Sequence, residues 1–93
     1  MKTERHPALV ALGQQIRQTR LKKGYSQEGF AAEAGLGRSY YGGIERGDHN
    51  VAALNLMRIA VTLDVELGAL FPKTEEVRTL LESSACLTDQ EEE

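Results

Sequence analysis

The sequence predicts an all-α protein built from short helices, and three observations carry that prediction. Residues 26–47, SQEGFAAEAGLGRSYYGGIERG, hold a capping serine, two glycine stops, and apolar residues three or four positions apart. Apolar residues recur with the same helical period over 8–23 and 51–63. Gly24, Gly35, Gly47 and Pro72 then punctuate the chain where those patterns stop.

Residues 1–7 lack periodicity and read as a flexible arm ending at Pro7, in which Lys2 and Arg5 either touch phosphate or fray in solvent. From Ala8, Leu9, Leu12, Ile16 and Thr19 line one helix face, with Arg17, Arg20 and Lys23 near its edges. Lys22 and Lys23 suit the negative end of the helix dipole, and Gly24 ends the helix. Ser26 opens a second helix with Phe30, Ala31 and Ala34 on its apolar face, Glu28 and Glu33 opposite, and Gly35 as its stop. A third runs from about Arg38 to Glu45, burying Tyr41 and Ile44 and turning Arg38, Ser39 and Gly42 outward. Two helices this short and this close suggest a helix-turn-helix, whose second helix enters the DNA major groove.

The loop Asp48-His49-Asn50 lies beside that helix, so His49 and Asn50 are either backbone or groove contacts or simply solvated. Val51–Leu63 resumes the helical period, with Leu54, Met57, Ile59, Ala60 and Leu63 as core candidates. Asp64 begins a turn, and Val65–Phe71 reads as a fifth short helix ended by Pro72. Leu67, Leu70 and Phe71 exceed what one last turn needs, which leaves a partner surface or packing within the monomer. Thr74-Glu75-Glu76 looks like a helix start; Val77, Leu80 and Leu81 give a sixth helix, to about Ser84, an apolar stripe over the fifth helix or a dimer seam. The acidic end is too polar to bury anything and is expected to be disordered. The resulting division is an arm at 1–7, a helix-turn-helix domain at 8–72, a C-terminal helix at 73–85, and a disordered acidic tail at 86–93.

Ninety-three residues suffice for one small domain with tails, and its modest core favours an oligomer that buries more surface. Net charge is −3, which alone argues against a nucleic-acid partner. Its distribution argues the opposite: residues 1–50 sum to +3 and residues 51–93 to −6, and phosphate responds to local clusters. The single cysteine, Cys86, excludes an internal disulfide or a multi-cysteine zinc finger and fits a reducing cytoplasm. No apolar run suits a signal peptide or membrane span, so a soluble cytoplasmic chain is expected. His6 and His49 lack metal-ligand company, and no nucleophile triad or glycine-rich phosphate loop is readable. Neither an enzyme, a cofactor, a metal nor a small-molecule ligand is expected.

The ordered string of Ser-Gln-Glu, then Ala-x-x-x-Gly-Leu, then Tyr-Tyr-Gly-Gly-Ile-Glu-Arg-Gly resembles the Xre-type, lambda-repressor-like helix-turn-helix family. Within it, RSYYGGIERGDHN looks most like the small controller regulators of restriction-modification operons. The resemblance implies a compact five-helix DNA-binding domain, with the sixth helix added. It implies a buried ion pair between Arg20 and Glu45, against which Arg20 as a solvated helix charge is the plainer reading. It implies that Gln27 meets a phosphate, that Arg38 and Ser39 reach base edges, and that Arg46 serves the backbone. Arginine can donate two parallel bonds to guanine, and Tyr40 offers a hydroxyl for phosphate or flanking bases. Arg17 and Lys22 are further phosphate candidates. A twofold dimer through Leu67, Leu70, Phe71, Val77, Leu80 and Leu81 would read a palindrome with half-sites about one helical turn apart.

Four residues depart from good helix design or from the family pattern. Gly42 and Gly43 each cost a helix roughly 1 kcal/mol relative to alanine, and Gly42 replaces a more usual small polar residue. They serve either deep seating in the groove or tight helix packing. Thr19, where related chains often carry leucine, and Gly29 suggest a monomer of limited stability. The functional expectation is a dimeric, sequence-specific DNA-binding transcription regulator, with an autoregulating restriction-modification controller as its specific form. An antitoxin-like or phage-type repressor is the alternative within the class, and a protein-interaction module that no longer binds DNA is the alternative outside it.

Overall fold

The computed structural model describes residues 5–83. Along it run α1 (Pro7–Lys22), α2 (Gln27–Ala34), α3 (Arg38–Arg46), α4 (Ala53–Leu63), a single 3₁₀ turn (Leu67–Leu70) and α5 (Thr74–Ser83). There is no strand among the described residues, so the expected all-α class is what the chain adopts. Lys2, Cys86 and the acidic tail lie outside the described residues.

Local chemistry sets the helix ends. His6, placed in the arm by sequence, instead caps α1: its Nδ1 accepts the Ala8 N–H at 3.0 Å, and Pro7, which lacks an N–H, takes the first helical position. Ser26 Oγ accepts the Gly29 N–H at 2.9 Å, capping α2 as expected. At the end of α3, Gly47 adopts φ +85°, and the Asp48 N–H closes back to the Gly43 carbonyl at 2.8 Å. A Cβ on Gly47 would also come within 2.7 Å of Val10, so glycine is required there twice over. Asp64 ends α4 at φ 60°, one of the few side chains that tolerate that region.

The core joins α1 to α4 and the 3₁₀ turn around Ile16, Phe30, Tyr41, Ile44, Ile59, Leu63 and Leu70. Phe30 packs its ring 5.1 Å from both Tyr25 and Tyr41. Helix α1 crosses α3 closely because Gly13 lies under it: a Cβ there would sit within 2.5 Å of the Ile44 and Glu45 carbonyl oxygens. Thr19 is half-buried and returns its hydroxyl to the Gln15 carbonyl at 2.9 Å, so it does not leave an unpaired polar group.

Four expectations need correction. Leu54 and Met57 are 59% and 48% exposed, because the buried stripe of α4 is Leu56, Ile59, Ala60 and Leu63. Leu54, Met57 and Val61 form the opposite, outward stripe. Leu70, assigned above to a dimer surface, is wholly buried in the monomer core. The fifth helix is only one 3₁₀ turn, since Phe71 is extended at φ −103°, ψ 149° as the residue before Pro72 must be. Gly42 is buried rather than outward, for a reason given below. Helix α5 packs on α1, with Val77 and Leu80 half-buried and Leu81 exposed beside His6, Leu9 and Asn50.

Candidate nucleic-acid interface

Helices α2 and α3 meet through a turn of Gly35, Leu36 and Gly37. Leu36 packs against the core and its N–H bonds the Ala31 carbonyl at 2.9 Å, which fixes how α3 leaves α2. The orientation of α3 is then locked from behind. Arg20 Nε donates to Glu45 Oε2 at 2.7 Å and Nη2 to Oε1 at 3.0 Å, with both residues 5% exposed. Tyr41 donates its hydroxyl to Glu45 Oε2, and Gln27 Nε2 donates to Oε1 at 3.0 Å. Arg20 Nη1 bonds the Tyr25 carbonyl at 2.9 Å. A charge this deep is tolerated because every oxygen of the carboxylate is occupied.

The titration directions agree with that geometry. Burial pushes the Glu45 carboxyl up, but the bonds from Arg20, Tyr41 and Gln27 outweigh it and hold the group below the usual carboxylate range. Arg20 is raised, chiefly by its bond to Glu45. The Tyr41 hydroxyl is driven well above its ordinary value, first by burial and then by its bond to Glu45. At neutral pH the network therefore holds one positive and one negative charge.

On the outer side, Gln27, Glu28, Arg38, Ser39, Gly42 and Arg46 line one shallow concavity of about 360 Å³. The structure thus brings together four of the residues expected at DNA: Gln27, Arg38, Ser39 and Arg46. Arg38 and Ser39 are exposed at the start of α3, and Arg38 pairs with Glu28. Arg46, at the far end, donates Nε to Asp48 Oδ2 at 3.0 Å. The other oxygen of Asp48 takes Nε of Arg5. The Arg5 bond lowers the Asp48 carboxyl, burial opposes it, and the Arg46 bond adds to the lowering.

Other expected contacts are placed differently. Tyr40 is half-buried; its hydroxyl accepts Asn55 Nδ2 at 3.0 Å, and its ring lies 5.0 Å from the His49 ring. His49 in turn lies over Gly43, where a Cβ would come within 2.7 Å of its Cδ2. His49 thus packs against α3 instead of standing free in the loop, and what lies close over Gly43 is this loop side chain and not a neighbouring helix. Asn50 is exposed, and Arg17 and Lys22 are exposed on α1 outside the concavity. Sequence reasoning missed Glu28, Asp48, Arg5 and Asn55 as partners of these groups. Only the short Arg46-to-Asp48 spacing was visible in advance.

No helix among the described residues is long and apolar enough to cross a membrane. No group of histidine, cysteine and carboxylate side chains among them is arranged to hold a metal ion.

Comparison with known proteins adds to this geometry. A family model described as helix-turn-helix matches residues 16–70. The control protein C.MunI of a Mycoplasma species is 39% identical over 67 residues, covering 71% of this chain and 90% of that protein. The crystal structure of the restriction-modification controller protein C.AhdI from Aeromonas hydrophila superposes with a TM-score of 0.66 at 49% identity, over 68% of this chain and 96% of that one. SinR, a master regulator for biofilm formation solved in complex with DNA, superposes with a TM-score of 0.61 at 38% identity, over 63% of this chain and 95% of that one.

Proposed function

This chain belongs to the Xre-like helix-turn-helix family of DNA-binding transcription regulators, and from that premise we propose that it is a restriction-modification controller acting as a homodimer on a palindromic operator. The observation that carries the reading is the two-sided design of α3. Its inner side is clamped by the Arg20–Glu45–Tyr41–Gln27 network, while its outer side exposes Arg38 and Ser39 beside Arg46 in one concavity. A helix held this firmly presents its side chains in one register, which sequence discrimination requires.

In this reading Arg38 reads a guanine by paired bonds to O6 and N7, and Ser39 contacts a neighbouring base edge. Gln27 and Arg46 fix the register on the phosphates, with Arg17 and Lys22 adding diffuse attraction. One unit offers too few contacts for useful specificity in a genome, and dimerisation doubles them. The exposed Leu67 and Phe71, together with the outward Leu54, Met57 and Val61 of α4, leave more apolar surface uncovered than a monomer of this size needs and support a second copy. Similarity to C.MunI and C.AhdI supports the controller assignment over other regulators of the same fold.

The test is a mobility-shift titration of the full chain on the DNA just upstream of its gene, at two salt concentrations. Binding that survives excess random competitor and weakens steeply with salt is expected, with a twofold-symmetric footprint. Equal affinity for upstream and random duplex would refute the controller reading.

A further inference from the structure

Asp48 stands at the edge of a surface meant for phosphates, and Gly42 weakens the helix that does the recognising. Both look like faults until their contacts with Arg46 are followed. We infer that Asp48 and Gly42 are positioning residues for Arg46, together holding its guanidinium over α3 with its outer nitrogens facing the concavity. The inference rests on the DNA-binding reading above and adds to it what makes that arginine competent.

Asp48 grips one end. Arg46 Nε donates to Oδ2 at 3.0 Å, and the other carboxylate oxygen, Oδ1, accepts from Arg5 Nε. A long arginine at a helix C-terminus otherwise samples many rotamers, and fixing Nε leaves only the direction of the two terminal nitrogens open. Among the described residues those nitrogens donate to no acceptor.

Gly42 supplies the floor. It lies one turn before Arg46 on the same face, and helical side chains lean back over the preceding turn. Arg46 Nη1 comes within 3.3 Å of the position a Gly42 Cβ would take, and Gln27 Oε1 within 3.6 Å. One end of the guanidinium therefore lies close over bare backbone, near the Gln27 amide, and covers Gly42, which is buried. An alanine would lift it by a few tenths of an ångström, toward solvent. The same contact makes the substitution easy to accommodate, because the crowded atom is the far end of an exposed side chain.

Bulk electrostatics and this inference make opposite forecasts for Asp48. Removing a negative charge beside a phosphate-binding surface ought to tighten binding to every DNA. If Asp48 positions Arg46, removing it weakens binding instead.

The experiment titrates full-length wild type, Asp48→Ala, Asp48→Asn, Gly42→Ala, Arg46→Ala and Arg46→Ala/Asp48→Ala. The probes are the upstream duplex and a random duplex of equal length, at two salt concentrations, with a thermal melt of each variant. Asp48→Ala is expected to weaken binding about tenfold, as loss of one charge-assisted contact would, and to lower the salt slope by about one phosphate. Asp48→Asn keeps an acceptor for Arg46 Nε and should recover most of the affinity. Adding Asp48→Ala to Arg46→Ala should change little, because the residue to be positioned is gone. Gly42→Ala should raise the melting temperature and yet lower the affinity, a combination that a purely structural role does not produce. Asp48→Ala binding as tightly as wild type, or more tightly, with an unchanged melt would overturn the inference while leaving the DNA-binding reading intact. If Asp48→Ala melts early, Gly42→Ala decides: unchanged or higher affinity in that variant overturns the inference. A wild-type chain that binds neither duplex overturns both.

Discussion

Replacing Glu45 with alanine tests the clamp behind α3 most directly. The substitution removes the acceptor of two Arg20 bonds at 2.7 and 3.0 Å, of the Gln27 amide at 3.0 Å, and of the Tyr41 hydroxyl. The Arg20 side chain is 6% exposed and would keep only the Tyr25 carbonyl as a partner. Breaking a buried pair from one side costs about 3–5 kcal/mol, and an orphaned hydroxyl about 1–3 kcal/mol. These do not add fully, because Arg20 lies in the last turn of α1 and can partly swing outward. A loss of about 4 kcal/mol is expected, a large share of the roughly 5–15 kcal/mol that holds a domain together. With a urea m-value of about 1 kcal/mol/M, the midpoint should fall by about 4 M. The assay is urea unfolding by circular dichroism at one fixed protein concentration, since dimerisation would make stability concentration-dependent. A paired Arg20→Met/Glu45→Leu variant should recover much of the loss, because apolar replacement of both partners leaves no stranded charge. A Glu45→Ala midpoint within about 1 M of wild type would mean that Arg20 is solvated in solution and that the clamp reading is wrong.

Gly13→Ala should lower the melting temperature, because its Cβ would meet the rigid Ile44 and Glu45 carbonyls at 2.5 Å or less. Overpacking of about 1–3 kcal/mol exceeds the gain of about 1 kcal/mol in helix propensity, and a melt that rises instead would refute the close crossing of α1 and α3. Arg38→Ala should lose about 1–3 kcal/mol on the operator and relax one base position; uniform weakening across sequences would make Arg38 a phosphate contact. Its exposed pair with Glu28 contributes little to either number. The pH dependence follows from Glu45, whose folded carboxyl is held below its unfolded value. Its contribution is present above the ordinary carboxylate pKa of about 4.3 and is lost as pH falls through the lower folded value. Urea midpoints should therefore hold from neutral pH to about 5 and fall below it, with a shallower acid limb in Glu45→Gln. An acid limb of equal steepness in that variant would exclude Glu45 as its source.

Helix existence and helix ends were determined by the sequence itself, because capping and termination act within about four residues. Ser26, Gly35 and Gly47 carry those signals locally, and each took its expected place. The basic half, the helix-turn-helix and the Arg20–Glu45 pair were legible in the same way, the last through family resemblance. What only the tertiary structure decided was which side of each element faces inward, since burial depends on what arrives from elsewhere in the chain. Apolar residues lie on both sides of α4, so its period alone did not separate Leu56 and Ile59 from the exposed Leu54 and Met57. Leu70 turned inward because Pro72 shortened the expected fifth helix to a single turn seated on α1 and α4. At the interface, His49 over Gly43 and Arg46 over Gly42 are meetings of side chains with backbone, and Asp48 joins the neighbouring Arg46 to the distant Arg5. The first two and the Arg46–Asp48 bond are local in sequence but depend on how the side chains settle at the end of α3, whereas Arg5 reaches Asp48 only once α1 has crossed α3.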